Sequence, residues 1–262
     1  MRKTKKWLTA AAWLVAAGCL LFVLAMTLKG WDFTKLSTVY FETETHAVSE
    51  PFSNIRLETR TADIVIIPSE DDTCRVICHE PEDDKYTVSV RNDTLVISEA
   101  DERKWYEHIG IVFETTEVRV ELPMGEYGAL TIDGTTGDID ISEGFRFDCA
   151  DISLTTGDIR LSGIGCRELN VQSTTGETTF ENVIVDGTLA VEKSTGSVIL
   201  TDADAGEIVI DTSTGDVRGT VLSEKVFDVQ TSTGSVDVPE SGSGGKCRIR
   251  TSTGDIKIKV KN

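Results

Sequence analysis

The amino-acid sequence predicts an all-β fold, a parallel β-solenoid of the right-handed β-helix type that follows one N-terminal transmembrane helix. Three features support this prediction. A Ser/Thr-Thr-Gly tripeptide recurs seven times, hydrophobic and polar residues alternate on both sides of each copy, and residues 7–28 carry no charge. With 262 residues, 39% of them hydrophobic, the chain is long enough for one large domain and too polar for several membrane spans.

The chain is strongly acidic. It contains 44 acidic and 26 basic residues, for a formal net charge of −18. The first 29 residues include five of the bases and none of the acids, so the acidity belongs to the remainder. A broad surface of this sign repels phosphate, which excludes nucleic acid as a partner.

The first element is the uncharged run Trp7–Leu28, which as a helix measures about 33 Å and is long enough to cross a bilayer. The basic residues that precede it place the N-terminus in the cytoplasm and the C-terminal domain outside, in a single-pass protein of the cell membrane; they are Arg2, Lys3, Lys5 and Lys6. The alternative is a cleaved signal peptide or a lipoprotein processed at Cys19. The apolar residues after Cys19 favour the anchor (residues 1–28), with residues 29–47 as a juxtamembrane stalk.

Seven regular repeats fill residues 127–262. Hydrophobic residues stand seven and five positions before each tripeptide glycine and two and four positions after it, which is strand periodicity on both sides of a corner. Each repeat is therefore predicted to be strand, corner and strand. The corner glycines are 19 or 20 residues apart and are Gly137, Gly157, Gly176, Gly196, Gly215, Gly234 and Gly254.

One such unit cannot bury its apolar face alone, whereas stacked units share a continuous core. We therefore expect parallel coils about 4.8 Å apart, with glycine at each corner because of a positive φ or a close approach to the next coil. An antiparallel sandwich is the alternative, but it does not require a constant period.

Residues 48–126 are predicted to form irregular coils of the same architecture. Ala62 takes the place of a corner glycine, with Ile55, Leu57, Ile64 and Ile66 at the four inward offsets around it. Further strands are predicted at Tyr86–Val90, Leu95–Ile97 and Val118–Leu122, with Asn92-Asp93 as a turn.

We expect consecutive coils to stack in chain order, which makes the C-terminal strand an open edge of the sheet. Lys257, Lys259 and Lys261 point outward on that strand and are expected to protect the edge from pairing with another chain.

The repeat STGDI/STGDV, the segment EPFSNIRLETRTADIVIIPS and the segment DERKWYEHIGI together resemble one bacterial family. This is the β-strand-repeat family of cell-envelope proteins known as putative adhesins, a DUF-type domain. The resemblance covers about residues 31–262. It implies a β-helix-like ectodomain on an N-terminal anchor, and it carries no catalytic or binding residues over to this chain.

Acidic residues directly follow three consecutive corner glycines, at Asp138, Asp158 and Glu177. Stacking puts them in one column, which could hold Ca²⁺ because this ion takes several carboxylate ligands. The interpretation we favour is that they cap the amides of the corners.

Two further features are candidate sites. Trp105 and Tyr106 form the aromatic pair available for a contact, and they could equally pack over the end of the solenoid. Cys149 and Cys166 fall on neighbouring coils, so a disulfide between them is one possibility.

Catalysis is not expected. The three histidines lie outside the regular repeats, and the sequence contains no nucleophile elbow, phosphate loop or HExxH motif. We predict no catalytic residue and no cofactor. The predicted function is a non-enzymatic adhesion, interaction or scaffold module at the cell surface that binds an envelope protein or a wall polymer. The alternative is an envelope sensor that acts through membrane partners.

Overall fold

The computed structural model describes residues 2–28, 30–31, 39–100, 114–240 and 242–261. The chain divides into two units, residues 1–41 with 103–114 and residues 42–102 with 115–262. The first unit contains the helix α1 (Arg2–Leu28), and the second contains the β-sheet. In the ranges just given, no helix combines the length and the hydropathy that crossing a bilayer requires.

Among the described residues, twenty strands join in one sheet. In the N-terminal half they are β1 (Phe41–Val48), β2 (Asn54–Thr61), β3 (Asp63–Pro68), β4 (Cys74–Pro81), β5 (Tyr86–Arg91), β6 (Thr94–Glu99), β7 (Glu117–Leu122), β8 (Gly125–Thr136), β9 (Ile139–Ile141) and β10 (Phe145–Thr156). In the C-terminal half they are β11 (Ile159–Ser162), β12 (Gly165–Thr175), β13 (Thr178–Glu181), β14 (Ile184–Thr195), β15 (Val198–Thr214), β16 (Val217–Val221), β17 (Lys225–Thr233), β18 (Val236–Asp237), β19 (Gly245–Thr253) and β20 (Ile256–Val260).

These strands build nine coils of two strands each, and in every coil except coil 2 the two strands meet at a described corner. Neighbouring coils pair in parallel and in register, as Ile152 does with Ile132 on one side and with Val171 on the other. In chain order the coils are coil 1 (β2, β3), coil 2 (β6, β7), coil 3 (β8, β9), coil 4 (β10, β11), coil 5 (β12, β13), coil 6 (β14 and the start of β15), coil 7 (the end of β15 and β16), coil 8 (β17, β18) and coil 9 (β19, β20).

The interior of the coils is filled by the residues that the periodicity places inward. Within coils 3 to 7 and coil 9, the column five residues before the corner glycine is at most 2% exposed, and it comprises Ile132, Ile152, Val171, Val191, Ile210 and Ile249. Burial of each such side chain contributes roughly 1.5–3 kcal/mol. The inward residues predicted around Ala62 are likewise at most 1% exposed, so coil 1 shares this core.

The corner glycines satisfy both predicted requirements at once. Their φ angles lie between +119° and +151°, in the region that side chains rarely adopt. A Cβ atom at Gly176 would also overlap the carbonyl oxygen of Gly157 in the neighbouring coil, and one at Gly157 would overlap that of Gly137. These glycine corners, unlike the corner of coil 1 with Ala62, therefore admit no side chain. The predicted axial stacking of these glycines is confirmed.

The coils do not stack in chain order at the two ends. Coil 1 lies between coils 2 and 3, because β2 pairs with both β6 and β8 and β3 pairs with both β7 and β9. Coil 9 lies between coils 7 and 8 in the same way. The axial order is 2, 1, 3, 4, 5, 6, 7, 9, 8. Our expectation of stacking in chain order is wrong at both ends, because coils with the same inward pattern fit one another in any order.

The C-terminal strand is consequently not the edge of the sheet. Strand β20 pairs with β16 on one side and with β18 on the other, so the role expected for Lys257, Lys259 and Lys261 is wrong. The exposed end is coil 8. Its inward residues Phe227 and Val229 are only partly buried, because no described coil lies beyond them.

The N-terminal end is covered by antiparallel strands. Strand β5 pairs with β6 through the predicted turn, where Asn92 and Asp93 have φ values of 49° and 62°. Strand β4 pairs antiparallel with β7, and β1 pairs with β4. Asn54 joins the inserted coil 1 to both neighbours, since its side-chain amide donates to Asp93 O at 3.1 Å and accepts from Ala129 N at 2.8 Å.

Substitution of a corner glycine is expected to be costly. In Gly176→Ala the new Cβ meets both the strained φ and the carbonyl of Gly157, so we expect a loss of about 2–5 kcal/mol in the free energy of unfolding. Urea denaturation followed by far-UV circular dichroism measures it. The matched control is Gly125→Ala, whose Cβ would meet no atom within 4 Å and should change stability by less than about 0.5 kcal/mol. Equal stability of the two variants would contradict this account of the corner.

Candidate functional site

The corner carboxylates form a ladder along the solenoid axis. Asp63 Oδ1 accepts a hydrogen bond from Asp138 N at 2.8 Å, Asp138 Oδ1 accepts from Asp158 N at 2.8 Å, and Asp158 Oδ1 accepts from Glu177 N at 2.6 Å. Each carboxylate thus caps an amide of the neighbouring coil. The column expected from the sequence exists, and the described contacts are those of capping groups.

The ladder resumes near the other end. Asp216 Oδ1 accepts from Asp255 N at 2.8 Å, and Asp255 Oδ1 accepts from both the amide and the hydroxyl of Ser235. These hydrogen bonds lower the pKa of Asp255. Within the part of the chain that the structure describes, no group of three or more His, Cys, Asp or Glu side chains is arranged to hold a metal ion.

A polar groove runs beside this ladder, parallel to the axis, and we name it the axial groove. In coils 4 to 7 it forms a cavity of about 380 Å³. Its walls are the residues four and two positions before each corner glycine, and its floor is the residue between them. The first wall is Ser153, Gln172, Glu192 and Asp211; the second is Thr155, Thr174, Ser194 and Ser213; the floor is Leu154, Ser173, Lys193 and Thr212.

The same columns continue into coils 2, 1 and 3, where a cavity of about 420 Å³ is lined by residues including Glu58, Arg60, Asp133 and Thr135. Since coil 3 is the axial neighbour of coil 4, the two cavities lie on one line across seven coils. At one coil every 4.8 Å, this line is about 29 Å long.

One wall of the groove projects because its residues leave the strand ladder. Pairing between coils 4 and 5 passes from Leu154↔Ser173 directly to Thr156↔Thr175, and Thr174 is exposed. The groove therefore offers a hydroxyl from this wall and a carboxylate, amide or hydroxyl from the other in each of coils 4 to 7. It can accept and donate hydrogen bonds repeatedly along an extended ligand.

Lys193 lies in the floor of the groove and is 3% exposed. Its Nζ donates to Ser173 Oγ at 2.8 Å and to Thr178 Oγ1 at 3.0 Å. The buried ammonium is thus hydrogen-bonded to the hydroxyl groups of two buried residues. Burial lowers the pKa of Lys193 to about 8, while the carboxylates of Asp158 and Glu177 oppose the shift. The sequence signal was a lysine in a column that is threonine in coils 1, 7, 8 and 9, and sequence reasoning missed it.

An aromatic cluster around Tyr127 was also missed. Tyr127 packs against Phe52, Phe145 and Phe147 with ring centroids 6.0–6.3 Å apart, and its hydroxyl donates to Pro123 O at 2.7 Å. Phe145 and Phe147 lie on β10, but Tyr127 lies on β8 and Phe52 precedes β2, so only the stacking reveals the cluster. By contrast, Trp105 and Tyr106 lie outside the described residues.

A second buried charge lies near the N-terminal end. Glu80 is fully buried, accepts a hydrogen bond from Tyr86 N at 2.7 Å and has Lys85 Nζ at 3.5 Å. Burial raises the pKa of Glu80, and the nearby carboxylates of Glu44 and Asp84 add to the rise. This group supports the end of the fold rather than the axial groove.

The cysteines are all free thiols. Phe147 pairs in register with Cys166, whose side chain is buried, while Cys149 pairs with Glu168 and is partly exposed. The two thiols face opposite sides of the sheet, so the disulfide considered from the sequence does not form.

One family model and several solved structures are similar to this chain. The family model described as Toastrack DUF4097 matches residues 52–262. Among solved structures, a putative adhesin from Bacteroides fragilis is 18% identical, with 84% of this chain and 97% of that chain covered and a TM-score of 0.48. A putative cell adhesion protein from Clostridium sporogenes is 16% identical, with 85% and 100% covered and a TM-score of 0.42. No curated protein matches the sequence.

The depressed pKa of Lys193 predicts a pH-dependent stability. Between pH of about 8, its value in the fold, and 10.5, its ordinary value, the unfolded chain binds a proton that the folded chain has released. The free energy of unfolding therefore gains a contribution that rises with pH over this window. In Lys193→Thr the contribution disappears, so the wild type should gain stability relative to the variant from pH 7.5 to pH 10. Urea denaturation of both at each pH measures this, and parallel pH profiles would contradict the assignment.

Proposed function

Since the chain belongs to the Toastrack DUF4097 family, we propose that it is a non-enzymatic adhesion module at the bacterial cell surface and that the axial groove is its binding surface. The observation that carries the proposal is the alignment of the two groove cavities along seven coils. Its polar walls repeat with the coil spacing, and the corner glycines hold that spacing rigid. A rigid, repeating surface suits an extended partner, either a wall polymer or an extended segment of an envelope protein.

The chemistry of the walls favours a ligand rich in hydroxyl groups, such as a wall glycan. Each hydrogen bond contributes only about 0.5–1.5 kcal/mol net, so binding requires several coils to act together. Glu192 and Asp211 make one wall of the groove acidic, which disfavours strongly anionic polymers.

The membrane anchor belongs to the same proposal, and it rests on the sequence of the uncharged run, since no described helix has the length and hydropathy that crossing a bilayer requires. The uncharged run Trp7–Leu28 lies within the helix α1, where Trp13, Leu14 and Leu20 are at least 70% exposed. Burial of these side chains in lipid would remove that apolar surface from water. The basic residues before the run support an N-terminus in the cytoplasm and a solenoid outside the cell.

Occlusion of the groove tests the binding surface. Thr174→Trp places a large side chain on an exposed groove wall, and we expect binding of the full-length protein in detergent micelles to isolated wall glycan to fall at least about tenfold, or 1.4 kcal/mol. Thr201→Trp is the matched control, because Thr201 is an exposed threonine on the strand that follows the corner, away from the groove walls. Equal binding by the two variants, measured by co-sedimentation, would refute the groove as the surface.

Fractionation and protease treatment of cells test the anchor. The full-length protein with a C-terminal tag should remain in the membrane pellet after an alkaline carbonate wash, and external protease should remove the tag from intact cells. Release by carbonate would contradict anchoring, and a protected tag would contradict the orientation. Exchange of Trp7–Leu28 for an unrelated span should leave wall binding intact, whereas a sensor that acts through membrane partners would lose its effect.

A further inference from the structure

Coil 9 is inserted between two coils that precede it in the chain. On one side, Gly215 N and Val217 N of coil 7 donate to carbonyl oxygens of coil 9, each at 2.9 Å. On the other side, Gly254 N and Ile256 N of coil 9 donate to carbonyl oxygens of coil 8, also at 2.9 Å. Without coil 9, coils 7 and 8 would present two facing strand edges. We name the space between them the slot.

The edges of the slot are tied together independently of coil 9. Lys225 of coil 8 is 2% exposed, and its Nζ donates to Ala205 O of coil 7 at 2.7 Å and forms an ion pair with Asp204. Its side chain passes Gly245, the register partner of Lys225 in the inserted coil. The segment 222–224 joins the same two coils covalently. The slot is therefore spanned by a covalent connection and a buried lysine that coil 9 does not supply.

Coil 9 is joined to coil 8 by one segment, residues 238–244, which includes Pro239, Gly242 and Gly244. Seven extended residues reach at most about 25 Å. That length allows the segment to bridge from its own coil 8 to the slot of an adjacent molecule. During synthesis, coils 7 and 8 emerge before residues 245–260, so the slot is vacant until a coil fills it.

We propose that the slot of one molecule accepts coil 9 of a second copy, so that two chains are linked by exchange of their C-terminal coils. The occupant must match the register of both edges and must place a glycine at the corner, which coil 9 of any copy does. The contacts of coil 9 are the same within one chain and between two chains. The ratio of exchanged dimer to monomer therefore depends on the effective concentration set by the linker and on the protein concentration. The inference does not depend on the axial groove.

Engineered disulfides in the full-length protein report which chain fills the slot. Glu207 of coil 7 and Lys246 of coil 9 are register partners, so Glu207→Cys with Lys246→Cys places two cysteines within bonding reach. Cys19→Ser and Cys149→Ser remove the two thiols that are not buried. The matched control is Asp151→Cys with Asn170→Cys, which joins coils 4 and 5.

Both proteins are refolded over a range of concentrations, oxidised and separated on non-reducing gels. We expect covalent dimers of the first protein to increase with concentration and the control to give bonds within one chain. Two differently tagged chains refolded together should give mixed dimers. Bonds only within single chains for both proteins, at every concentration, would overturn the proposal.

A blocking substitution separates exchange from misfolding. A Cβ at position 245 would overlap the carbonyl oxygen of Gly206, so Gly245→Val should prevent coil 9 from seating in any slot and abolish the dimers. The same substitution in the control protein should leave the bond between coils 4 and 5 intact, which shows that the remaining coils fold. Dimers that persist in Gly245→Val would show that they arise without the slot, and would also overturn the proposal.

Discussion

The close contact between each corner glycine and the carbonyl oxygen of the neighbouring coil determines the rest of this structure. It removes the side chain at the corner and fixes the height of one coil over the next. Residues at equal distances from the glycine then stack in columns. The aliphatic core, the carboxylate ladder and the two walls of the axial groove are such columns, and each exists because the corner register does not drift over successive coils.

Much of this could be predicted from the sequence, because the glycine period and the alternation of apolar residues are local patterns. They identified the buried faces of coils 3 to 7 and, through Ala62, the core of coil 1. The axial order could not be predicted by the same reasoning, since coils with equivalent inward residues are interchangeable as neighbours. The signals of insertion were small: Asn54 at the start of coil 1, and a lysine at position 225 beside glycine at position 245.

The candidate site, like the fold, has one part that the sequence predicts and one part that it does not. The column of Asp138, Asp158 and Glu177 follows from the period, and the structure adds that these carboxylates accept amide hydrogen bonds from the next coil. The groove depends on how two outward columns stand relative to each other, and in particular on a residue that leaves the strand ladder. Periodicity describes which face a residue occupies but not such a local departure, so the groove had no clear signal in the sequence.

Insertion at both ends also accounts for how a stack of similar coils can end. A terminal coil has one uncovered face, and an open parallel edge invites further pairing. At the N-terminal end the antiparallel strands β4 and β5 cover that face. At the other end coil 8 is held by coil 9 beneath it, by the segment 222–224 and by Lys225, which reaches past one coil to the next. The outermost coil therefore depends on contacts two coils deep, so that fraying of this end requires a buried ion pair to break together with the strand ladder.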